Sequence, residues 1–104
     1  MVYAYFIENT GSEFKDNSSM FRYIKEQNIS EENIYVEIAD NKDELDALLE
    51  KIEPEDKIVL RTITDLAEKR SELLHLLNEL QDFGILIHSI MEPFLNGLEY
   101  FNRF

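Results

Sequence analysis

The stretch from Asp56 to Pro93, DKIVLRTITDLAEKRSELLHLLNELQDFGILIHSIMEP, decides the fold. It opens on the apolar run Ile58-Val59-Leu60, rich in β-branched residues, and continues with helically spaced leucines at Leu66, Leu73, Leu76, Leu77 and Leu80. Gly84 stops that segment, and a second apolar run, Ile85-Leu86-Ile87, follows at once. Strand, helix and strand in this order form a βαβ unit, in which a crossover helix joins two parallel strands. Continuously apolar strands, rather than alternating ones, point to a sheet covered on both faces.

The same alternation extends outward from this unit. Val2 to Ile7 reads as a strand of aromatic and β-branched residues, and the polar run Glu8 to Asn17 as a loop. Asn17 or Ser18 is placed to cap a helix that carries Met20, Phe21 and Ile24 and ends near Asn28. Asn33 to Ile38 is a second strand. Asp40 or Asn41 caps a helix with a stripe at Leu45, Leu48, Leu49 and Ile52, and Pro54 lies just past its end. The third strand spans Lys57 to Ile63, the long helix runs from Thr64 or Asp65 to Phe83, and the fourth strand spans Ile85 to Ile90. The order βαβαβαβ predicts one α/β domain over residues 1–104, with a mainly parallel four-stranded sheet and helices on both faces. Right-handed crossovers place the first strand centrally, between the second and third.

Composition limits the function. At 104 residues and 44% hydrophobic content the chain supports one modest core. It has no cysteine, so disulfides and thiolate metal sites are excluded. No apolar run reaches the length of a membrane span, and MVYAYFIEN lacks the basic region and cleavage site of a signal peptide, so a cytoplasmic protein with no membrane association is expected. A formal charge of −12 argues against direct nucleic-acid binding, which needs Lys and Arg to replace phosphate counterions. Three glycines cannot supply a Gly-rich phosphate loop, and no cofactor is expected. His75 and His88 lack ligand-spaced partners and read as packing or surface residues, so no metal is expected. The acids from Asp40 to Asp46 lack the glycine of a calcium loop and suit a helix N-terminus. Glu31-Glu32 and Glu53 to Asp56 read as solvated turns.

Asp56 to Pro93 resembles the catalytic domain of serine recombinases, the resolvase/invertase family. That family has a Gly-Asp turn, an apolar strand, an Asp-Arg-Leu-Gly-Arg motif, a Leu-Leu-x-Leu helix, a Gly, a strand and often a Glu-Pro. The counterparts here are Asp56, Ile58 to Leu60, Thr64 to Glu68, Leu73 to Leu80, Gly84, Ile85 to Ser89, and Glu92-Pro93. The family opening Tyr-x-Arg-Val-Ser-Thr is matched by Tyr5 to Thr10, and its Arg-x-Gly-Leu segment by Lys42 to Leu45. The resemblance implies a three-layer resolvase-like domain and, for active members, DNA strand cleavage and rejoining by a serine nucleophile among arginines.

The residues that would carry that chemistry depart from the pattern. Asn9 stands at the serine position, and an amide is not a nucleophile. Ile7 stands at the nearby arginine position. Asp65 and Glu68 fall where the motif has arginines, and Thr64 where it has aspartate. Lys42 alone keeps a positive charge at an arginine position, and lysine lacks the bidentate fork. Each arginine-to-acid change reverses an interaction worth about 1 kcal/mol at 4 Å even in water. Ile7, Asn9, Lys42, Thr64, Asp65 and Glu68 are therefore expected to be a vestigial site with no catalytic residue.

The resemblance stops before the dimerisation helix and basic DNA-binding domain of family members. The leucine helix has a wide apolar arc with Leu74 and Phe83 at its edges, and Leu98, Tyr100, Phe101 and Phe104 form an aromatic tail. These six residues form the candidate interaction surface, for a protein partner or a second copy of the chain. The expected function is protein–protein interaction by an inactive recombinase-like domain that regulates a recombinase or another DNA-processing protein. The alternatives are an acidic DNA mimic that inhibits a DNA-binding protein, and a divergent strand-transfer enzyme.

Overall fold

In a computed structural model of the chain, residues 1–8, 17–38 and 41–92 are described. They form β1 (Val2–Ile7), α1 (Ser18–Glu26), β2 (Ile34–Glu37), α2 (Asp43–Lys51), β3 (Lys57–Leu60), α3 (Arg70–Phe83) and β4 (Leu86–Ser89). Short 3₁₀ turns occupy Glu31–Asn33 and Ile63–Asp65. The four strands pair in parallel in the order β2-β1-β3-β4, so β1 lies between β2 and β3 as the crossover rule requires.

Alternation along each strand divides the core into two layers. Tyr3, Tyr5, Ile58 and Leu60 pack with Leu45, Leu48 and Ile52 of the α2 region and with Leu73, Leu77 and Leu80 of α3. Ala4, Phe6 and Val59 face the other way, against Met20 of α1 and the partly buried Tyr23 and Ile24. The domain is therefore three-layered, with α2 and α3 on one face of the sheet and α1 on the other. Gly84 ends α3 in the left-handed conformation, φ 90°, and the Ile85 N–H returns to the Leu80 carbonyl at 2.9 Å.

Several boundaries differ from the sequence reading. β1 spans Val2–Ile7 as expected, β2, β3 and β4 are shorter than expected, and α1 ends at Glu26, two residues before Asn28. Asn17 does not cap α1 with its side chain, and its Nδ2 donates instead to the Ile7 carbonyl at 3.0 Å. Asn41 accepts the Asp43 N–H at 3.1 Å, one residue before the Lys42 boundary of α2, and Asp40 lies outside the described residues. The long helix begins at Arg70, not at Thr64 or Asp65. The Asp65 carbonyl, which would accept the Lys69 N–H in a helix, accepts Lys42 Nζ at 3.0 Å. Leu66 and Ala67 enter the core from an irregular segment ahead of the helix, a tertiary placement that local propensity does not encode. Asp56 is not a solvated turn residue. It is buried, accepts the Glu53 N–H at 2.9 Å and meets the Met1 α-ammonium at 3.0 Å, and these bonds hold its carboxyl below the usual range.

His88 stacks on Tyr23 of α1, with ring centroids 5.1 Å apart. Burial, and then the charge of Lys57, hold its imidazole below the ordinary value of 6.5. A group with a depressed folded pKa binds its proton more readily when unfolded. Its contribution is therefore fully present above the unfolded value and is lost as pH falls below it. Urea midpoints measured from about pH 7.5 down to 5 should fall more for the wild type than for His88→Phe, which keeps a ring against Tyr23. Parallel curves for the two proteins would contradict this assignment.

Candidate functional site

In an open parallel sheet, the crevice beyond the C-terminal strand ends, where the strand order reverses, is the natural ligand position. Here that point lies between β1 and β3. The described segments that reach it are the end of β1, the start of α1, the start of α2 with Lys42, and residues 61–69 after β3.

Glu37 ends β2 and is 1% exposed. Its carboxylate accepts the Tyr5 hydroxyl at 2.9 Å and the backbone N–H groups of Leu45 at 2.9 Å and Glu44 at 3.2 Å. It thus caps the N-terminus of α2 from outside the helix, where the dipole favours an anion. Burial and this bond push the Tyr5 hydroxyl pKa well up. The sequence does carry a signal for Glu37: by period-2 alternation it shares the inward face with Tyr35, between two apolar neighbours.

Across the crevice, Asp65 is buried at 2% exposure. Its carboxylate meets the Arg61 guanidinium at 3.5 Å, and its carbonyl takes the Lys42 ammonium. Arg61, which sequence reasoning passed over, keeps its side chain mostly within the fold. Glu92 ties β3 to β4: it accepts from the Thr62 hydroxyl at 2.9 Å, from the Ile63 N–H at 3.0 Å and from the buried Ser89 hydroxyl.

The expected site residues therefore divide. Lys42 and Asp65 come together. Ile7 is half-buried, with its carbonyl held by Asn17. Thr64 is exposed, with its hydroxyl 3.4 Å from that of Thr62, and Glu68 is exposed. Asn9 lies outside the described residues. Of the candidate interaction surface, Phe83 is 50% exposed, Leu74 is half-buried, and Leu98, Tyr100, Phe101 and Phe104 lie outside the described residues.

Chemically, the described part of the crevice is a set of carboxylates bonded to amides, hydroxyls and two cations. The Ser89 hydroxyl is paired with a carboxylate but is 1% exposed, so a substrate cannot reach it as a nucleophile. Among the described residues, no group of three or more His, Cys, Asp or Glu is placed to hold a metal ion, and no helix is long and apolar enough to cross a membrane. No protein-family model matches the chain, and no curated protein matches it.

Proposed function

We propose that this chain is a resolvase-like domain without catalytic activity, which acts in the cytoplasm through protein–protein interaction and regulates a recombinase or another DNA-processing protein. One observation carries the reading: the cations beside the crevice bond inward. The Lys42 ammonium donates to the Asp65 carbonyl at 3.0 Å and the Arg61 guanidinium, 16% exposed, lies 3.5 Å from the Asp65 carboxylate, so both cations are directed to Asp65 and not outward to a phosphate. Two acids stand where the resemblance puts arginines, one of them in the core. Phe83, half exposed at the end of α3, is an apolar group suited to contact another protein.

The test is direct. Purified protein incubated with supercoiled plasmid, with and without magnesium, should leave the plasmid intact and form no adduct that survives denaturant. A covalent adduct would overturn the reading and turn attention to Ser12, which lies outside the described residues.

The acidic DNA mimic remains a second reading because α2 exposes Asp43, Glu44, Asp46 and Glu50. A salt series on any captured partner separates the two. A mimic's affinity falls steeply between low and physiological salt, whereas an apolar contact through Phe83 changes little.

A further inference from the structure

We propose that the sheet surface beside α1, formed by Lys57 and Leu86 and bordered by Tyr23 and His88, docks an acidic segment of a partner protein that carries aliphatic side chains. This rests on the protein-interaction reading above and assigns it a surface and a partner chemistry.

The placement follows from register. Lys57 pairs with Leu86 and Val59 with His88, so all four side chains project from the same face of neighbouring strands. Val59 lies in the α1-side core, which fixes that face as the α1 side. On the opposite face α2 and α3 cover the sheet. On this face α1 is the only described helix, and it reaches β4 through the Tyr23–His88 stack. Leu86 is 56% exposed on β4, which among the described residues has a neighbouring strand on one side only. An exposed leucine on an open edge is a contact point for another chain.

Charge identifies what fits. In a chain of net charge −12, Lys57 stands beside Leu86 on this face, while Arg22, Lys25 and Glu26 are exposed on the side of α1 away from the sheet. Lys57 Nζ lies 3.5 Å from the Tyr23 hydroxyl, and no carboxylate among the described residues pairs with it. The exposed acids of α2 lie across the sheet. Lys57 is thus the cation this surface offers, with the exposed Glu55 two residues before it, and a carboxylate on Lys57 beside an aliphatic side chain on Leu86 uses both features.

The experiment uses the full chain, labelled with ¹⁵N, and a short peptide alternating glutamate and leucine, with a lysine–leucine peptide as control. The acidic peptide should shift the amide resonances of Lys57, Leu86, His88 and Tyr23. Its affinity should fall about tenfold in Lys57→Glu, since reversing the charge of the half-buried Lys57 both removes an attraction and adds a repulsion. Leu86→Asp, at a 56% exposed position, should also weaken it, and circular dichroism of both variants checks that the fold is kept. Shifts confined to α2 and α3, equal binding of the basic control, or a peptide indifferent to both substitutions would overturn the proposal. So would self-association of the free protein that Leu86→Asp abolishes, because a second copy would then occupy the surface. A cellular partner that both variants still capture would sink this surface and leave the protein-interaction reading standing. The absence of any captured partner would count against that reading instead.

Discussion

Glu37→Ala should lower the stability of the domain by about 3 kcal/mol, measured by urea unfolding followed by circular dichroism. Three bonds are lost at once. The cap on α2 disappears, typically about 1 kcal/mol, and the buried Tyr5 hydroxyl loses its acceptor, about 1–3 kcal/mol. Removing a buried carboxylate offsets part of this, because its burial is itself costly. For a domain of this size the melting temperature should fall by roughly 15 °C. Tyr5→Phe should cost only about 1 kcal/mol, since Glu37 keeps its two amide donors. The double variant should cost less than the sum of the two, because both single changes break the same bond. A Glu37→Ala protein within about 0.5 kcal/mol of the wild type would mean that this carboxylate is dispensable to the fold.

Glu37 also marks how far the sequence could be read. The βαβ alternation, the central position of β1 and the glycine stop of α3 were legible, because they depend on local periodicity and a handedness rule. The start of α3 was not: Leu66 and Ala67 are buried ahead of the helix, and the Asp65 carbonyl accepts a lysine 23 positions away. Propensity carries no information about such a bond. Asp56 looked like a turn acid for the same reason: its donors lie in the preceding turn and at the distant Met1. The crevice was half legible. Its position follows from the strand order, but the pairing of Arg61 with Asp65 appears only once residues 61–69 are folded.

That pairing makes the second large effect a test of the vestigial-site reading. The resemblance puts arginines at Asp65 and Glu68, and simple restoration would replace both. The two positions are physically unequal. Glu68 is exposed, and Glu68→Arg should change stability by no more than about 0.5 kcal/mol. Asp65 is 2% exposed, with the Arg61 guanidinium at its carboxylate and the Lys42 ammonium at its carbonyl. Asp65→Arg would bury a second guanidinium against the first and remove its counter-charge. Breaking a buried pair in this way costs roughly 3–5 kcal/mol, a large part of the 5–15 kcal/mol that holds a typical domain together. The variant should be mostly unfolded at growth temperature. Asp65→Asn, which keeps an acceptor for Arg61, should fall between it and the wild type. Thermal melts of the three variants decide the matter. If Asp65→Arg melts with the wild type, the Asp65 side chain can leave the core, the crevice is open to an anion, and the argument that its cations are engaged inward fails.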